Sequence, residues 1–237
     1  MNNIHIPPVV KNLLIINILF FIGTLVYSSN DVYPFVQWFA VYYFDSPSFK
    51  IWQPITYMFM HSPVDYFHII FNMFALYSFG SILEQRWGAK KFIIFYFVTG
   101  LGALALQWAV QSYEIYHVAG HFITDISAYV PKNPAERDLL SDIYYGPMLG
   151  ASGAIFGLLV GFGMLYPNAE LLIMFIPIPV KAKYIIPIYI IIELVLGVGK
   201  FQGDSVAHYA HLGGALIGFI LVKIWKDKND TFYTLYE

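Results

Sequence analysis

Six stretches of this chain are almost free of charge, and that pattern limits its fold more than any other feature. They are residues 13–27, 66–83, 92–110, 151–166, 184–198 and 208–225. A helix needs ~20 apolar residues to cross a bilayer, and it closes its own backbone hydrogen bonds while doing so. Only 12% of the residues are charged, against about 25% in soluble domains. The expected fold is an all-α, multi-pass integral membrane protein with six transmembrane helices in one bundle, its surface partnered by the lipid bilayer. A net charge of −2 and the lack of a basic patch give no sign of nucleic-acid binding. The chain has no cysteine, which excludes disulfides, zinc–thiolate sites and cysteine nucleophiles.

Residues 1–10 read as an N-terminal tail, residues 11–226 as the membrane domain and residues 227–237 as a C-terminal tail. The first apolar run also admits a signal peptide; a retained helix is preferred because the later charge distribution needs it. Residues 28–64 hold Pro34, Pro47, Pro54 and Pro63 among many aromatics. The prolines forbid one spanning helix, and the rings suit the membrane–water interface, so a partly helical interfacial loop is expected. Glu84 to Lys91 reads as a tight basic connection. Residues 111–146 form a long loop with seven charged residues, in which Asn133-Pro134-Ala135-Glu136 looks like a helix start. Residues 171–180 are apolar but broken by proline.

With the N-terminus in the cytoplasm, nine of the thirteen Lys and Arg residues fall inside and four outside. The positive-inside rule therefore favours cytoplasmic N- and C-termini. The second, fourth and sixth segments then all start at the outer face, which brings His68, Ser152 and His211 to similar depth. The absence of a recognisable targeting peptide suggests a bacterial inner (plasma) membrane.

His68 and Asn72 lie four apart on one helix face, and His208 and His211 three apart on another. Polar groups inside a membrane face the bundle interior, and taken singly such pairs serve as interhelical hydrogen bonds. Gly153, Gly157 and Gly161, with Ala210, Gly214 and Gly218, form small-residue stripes that let two helices touch. That contact would carry Ser152 to a histidine, a base able to activate its hydroxyl. The Ser152 amide, His68 and Asn72 could then stabilise an oxyanion. Among acidic residues only Asp65 and Asp204 fall near the outer helix ends, both in loops, while Glu84 and Glu193 fall elsewhere along the chain. A Ser–His dyad is the economical reading. G-x-S-x-G and H-E-x-x-H are absent, and the His117/His121 pair lacks a third metal ligand. No metal or cofactor is expected.

Gly150-Ala151-Ser152-Gly153, His68-xxx-Asn72 and Ala210-His211-Leu212-Gly213-Gly214 resemble the signature of the rhomboid intramembrane serine proteases. Glu84…Trp87-Gly88 and Gly214-xxx-Gly218 are similar as well, so the resemblance covers roughly residues 10–226. It implies a serine endopeptidase that cleaves single-pass transmembrane substrates near the membrane boundary. It makes Ser152 the nucleophile and His211 the general base, with His68, Asn72 and the Ser152 amide on the oxyanion. Phe156 stands where the family often has an aromatic, usually tyrosine, packing on the base. The fifth segment and the loop before the sixth resemble a mobile substrate gate. His208 is a second histidine beside the base, and His211 is preferred by its Ala-His-x-x-Gly context. A catalytically inactive relative that binds transmembrane clients is the alternative. A solute transporter would need a repeat between the two halves, and none is present. Oligomeric state is not encoded.

Overall fold

The computed structural model describes residues 6–30, 32–123, 125–173, 176–199 and 206–225. Lys200, Asp204 and the tail 227–237 lie outside the described residues. The elements are α1 (Pro8–Val26), α2 (Pro34–Phe39), α3 (Gln53–Thr56) with a 3₁₀ turn at Tyr57–Phe59, α4 (Tyr66–Ala75), a π-helical turn (Leu76–Gly80), α5 (Ser81–Ala119), α6 (Pro134–Tyr145), α7 (Ser152–Leu165), β1 (Glu170–Ile173), β2 (Ile176–Lys181), α8 (Ala182–Gly199) and α9 (His208–Trp225).

Four helical runs have the length and apolarity to cross a membrane: Pro8–Val26, Tyr66–Ala119, Ala182–Gly199 and His208–Trp225. The second has 54 residues and would be ~80 Å long if straight, far beyond a hydrocarbon core of ~30 Å. It is a hairpin. Gly88, at φ 76° and ψ 162°, breaks it, and Leu83 and Phe95 from its two arms both lie against Gly161. A left-handed φ of this kind suits glycine. Ser152–Leu165 is a shorter apolar helix, most of which is buried.

α1 begins within the stretch read as a tail, with Pro8 in its first turn. Its leading amides need acceptors, and the Glu84 carboxylate supplies them, taking Val9 N–H at 3.0 Å and Val10 N–H at 2.8 Å. Inside the same helix Asn17 and Thr24 donate to the carbonyls of Leu13 and Phe20, four residues back. These bonds satisfy one donor of each side chain within the helix. Large apolar side chains such as Leu19, Phe74, Ile191 and Ile224 stand exposed on α1, α4, α8 and α9, as lipid-facing surface should.

The core lies where α5, α7 and α9 meet. A methyl group on Gly214 would stand 1.8 Å from the Gly153 carbonyl oxygen, and one on Gly218 would stand 2.8 Å from Gly157 Cα. Backbone thus meets backbone at both levels of the α7–α9 contact. The Gly153-Gly157-Gly161 stripe does a second job: its missing side chains would point at Ala103, Thr99 and Phe95 of α5. One glycine row therefore accommodates two neighbouring helices.

The loop regions carry more order than their sequence suggests. α5 runs on to Ala119 and is capped by Gly120 at φ 82°. Asn133 caps α6, its side chain accepting Glu136 N–H at 2.9 Å, as its Asn-Pro-Ala-Glu start predicts. Lys132 Nζ donates to the last carbonyls of α5. Glu136 takes the Tyr129 hydroxyl at 2.5 Å and Lys132 N–H at 2.9 Å, bonds that hold its carboxyl below the usual range. The proline-broken stretch before α8 is an antiparallel hairpin, with Glu170 opposite Lys181 and Leu171 opposite Val180. A two-stranded ribbon consists of edges only, so its prolines cost no interior ladder bond. It is the one sheet among the described residues.

Candidate active site

The approach to Ser152 is held from outside the bundle. Val41 and Met148 exchange backbone hydrogen bonds of 2.9 and 2.8 Å, and Gly150 N–H reaches the Tyr57 carbonyl at 3.0 Å. These bonds tie the aromatic loop of residues 28–64 to the start of α7. Gly150 takes φ +135°, a value that disfavours any side chain. A methyl there would stand 2.9 Å from His68 Nε2 and 3.5 Å from Ser152 Oγ, so glycine keeps open the space between these two groups.

Ser152 opens α7 and His211 lies in the first turn of α9. The Gly153–Gly214 contact brings the helices together, and His211 Nε2 sits 2.8 Å from Ser152 Oγ. The Phe156 ring lies flat on the His211 imidazole, with centroids 4.4 Å apart and planes 9° from parallel. His211 is buried, with 9% of its surface exposed.

The sequence reading omitted one member of this cluster. Glu193, placed elsewhere along the chain by that reading, sits on α8 with its Oε2 2.9 Å from His211 Nδ1 and 2.6 Å from His208 Nδ1. The physical reason is that α8 lies against α9: Gly197 leaves room for the His208 Cβ, and the Tyr209 hydroxyl donates to the Gly197 carbonyl at 3.0 Å. A signal was available, since Glu193 is the one charge in residues 184–198 and an ionisable residue at membrane depth calls for a named partner.

His68 faces Ser152 across Gly150. Its Nδ1 accepts Ser62 N–H at 3.4 Å, which leaves the proton on Nε2, the nitrogen turned toward Gly150. Asn72 is buried and donates to the His68 carbonyl at 2.8 Å, one turn along the same helix. The Ser152 amide belongs to a helical first turn, where N–H groups lack intrahelical acceptors. His61 packs edge-on against His68, with centroids 5.0 Å apart. It is fully buried, with the Phe59 backbone beside its ring. Burial, with His68 adding to it, pushes its pKa down to about 3.

Glu193, His208 and His211 are also the one group among the described residues spaced to hold a metal ion, with ligand atoms within 4.8 Å of one another. The two imidazole–carboxylate hydrogen bonds already satisfy them, and an ion would have to displace both protons. His117 and His121 do not join any such group.

Residues 48–227 match the Rhomboid domain family. Similar proteins include an uncharacterised mitochondrial rhomboid protein of Schizosaccharomyces pombe, 26% identical over 75% of this chain and 52% of its own length. Rhomboid protein 1, mitochondrial, of Saccharomyces cerevisiae is 30% identical over 66% of this chain and 37% of its own. Rhomboid-like protease 3 of Toxoplasma gondii is 25% identical over 74% and 52%. The chain spans about half or less of the length of these relatives. Two of the three are mitochondrial by name, and the expectation of a bacterial plasma membrane gains no support from them. The matched family, the apolar spans and the lipid-facing surface agree: this chain is a multi-pass integral membrane protein and belongs to the rhomboid family.

Proposed function

We propose that this chain is an intramembrane serine endopeptidase acting on single-pass transmembrane proteins near the membrane boundary. The observation that carries the reading is the 2.8 Å contact between Ser152 Oγ and His211 Nε2. In the proposed reaction the Ser152 oxygen attacks the scissile carbonyl carbon while its proton moves to His211 Nε2. The developing oxyanion is received by His68 Nε2–H, the Ser152 amide and Asn72. His211 then returns the proton to the leaving amine, and water hydrolyses the acyl-enzyme with His211 again as base.

Six crossings with both termini cytoplasmic suit this chemistry. The crossings are α1, the two arms of the Gly88 hairpin, α7, α8 and α9. At 14 residues, α7 is ~21 Å long, which is ~9 Å short of the hydrocarbon thickness. Its first residue, Ser152, then lies beneath the outer surface, where polar groups from three helices let water in. The intact serine–histidine pairing argues against an inactive client-binding relative.

The test uses purified protein in detergent, a fluorophosphonate probe and a model single-pass substrate. Wild type should label and cleave, while Ser152→Ala and His211→Ala should do neither. His208→Ala should only reduce cleavage, because His208 bonds to Glu193 and not to Ser152. Full cleavage by Ser152→Ala would overturn the mechanism.

A further inference from the structure

We infer that Glu193 is the positioning residue for His211, so that the site works as a Ser–His–Glu relay in which α8 supplies the third member. This inference rests on the protease reading above. An ionised carboxylate only accepts hydrogen bonds. With its Oε2 2.9 Å from His211 Nδ1, that nitrogen carries the proton. The Nε2 lone pair is then free for the Ser152 hydroxyl, which donates to it at 2.8 Å. This is the tautomer a general base requires, and the opposite tautomer would point a proton at the nucleophile. His208 donates to the same carboxylate oxygen at 2.6 Å. Its bond holds Oε2 in line with His211.

The proton balance is closed. When Ser152 adds to the carbonyl, its proton passes to Nε2 and His211 becomes an imidazolium. Glu193 stays ionised, keeps the Nδ1 proton in place and offsets the new positive charge. The proton on Nε2 then leaves with the amine.

A purely structural role is the competing account, since one carboxylate joining two helices is also a tether. The two roles separate in kinetics. Glu193→Gln keeps the shape and an acceptor oxygen but loses the charge, and its amide can present N–H to the ring. In the full chain, purified in detergent, its fluorophosphonate labelling rate and kcat should fall on the order of 10²–10⁴-fold. KM should change by no more than about threefold, as expected for a group acting in the transition state. The thermal midpoint should hold or rise, because a charge is removed from an apolar helix. Glu193→Asp should recover part of kcat. A Glu193→Gln protein that labels and cleaves within about threefold of wild type would reduce Glu193 to a tether while leaving the protease reading intact. A wild-type protein that neither labels nor cleaves would overturn both. If Glu193→Gln does not fold, ¹⁵N-histidine spectra of the wild type decide, with His211 assigned by its loss in His211→Gln. The Nδ1–H form is expected, and an Nε2–H form overturns the relay.

Discussion

His61 shows what a buried ring costs in a membrane protein. It is neutral in the folded state because burial holds its pKa near 3, whereas an unfolded histidine titrates near 6.5. Between those values the unfolded chain binds a proton that the folded chain does not. Stability is therefore full above about pH 6.5 and is lost as pH falls toward 3, by up to ~1.4 kcal/mol per pH unit for one proton. His61→Phe keeps an aromatic ring against His68 and removes the titration. Its thermal midpoint in detergent should fall less than that of wild type between pH 7 and pH 5; equal slopes would show that His61 does not set the acid sensitivity. Glycine at position 150 belongs to the same scale. Its positive φ and its place between His68 and Ser152 explain why the serine motif opens with that residue.

Among the elements, α7 and α9 depend on backbone contact, and added volume is tolerated differently from one glycine of this seam to the next. Gly214→Ala would place a methyl into the Gly153 carbonyl, and the helices must separate to admit it, at a cost of ~3 kcal/mol or more since backbone cannot turn aside. Gly161→Ala meets only the Phe95, Trp87 and Leu83 side chains at 3.2 to 3.6 Å, which need yield only a few tenths of an ångström. The first variant should lower the thermal midpoint sharply and lose fluorophosphonate labelling, and the second should do little; similar effects from both would refute the backbone contact. This pairing was legible in the sequence, because glycines spaced by four mark a face, as was the Asn133 cap, whereas the aromatic stack on His211 was implied only by the family resemblance. The partners of Glu193 and Glu84 were not. Periodicity gives a residue's face and depth on its own helix, but it does not say which helix lies beside that face. The β-hairpin escaped for a different reason: prolines that rule out a helix leave an edge strand open, and the short apolar run fits several states.

For the molecule as a whole, the proposed orientation rests on charge, and the cysteine-free sequence offers a clean way to measure it. Any introduced cysteine is the chain's only thiol. In sealed cells, a membrane-impermeant maleimide should label Lys132→Cys, which lies beyond the end of α5. Lys90→Cys, just past the Gly88 break, should label only after permeabilisation. The reverse pattern would invert the topology and bring Ser152 to the cytoplasmic side. One further consequence comes from the cluster behind His211. Its carboxylate rides on α8 and both of its imidazoles ride on α9, so the bonds of 2.6 and 2.9 Å act as a gauge of the seam between those helices. Prising the seam apart by ~1 Å takes both bonds to or past the limit of hydrogen-bond reach. Anything wedged there unfastens the His211 ring, and the ring is held on both sides only while the seam is shut.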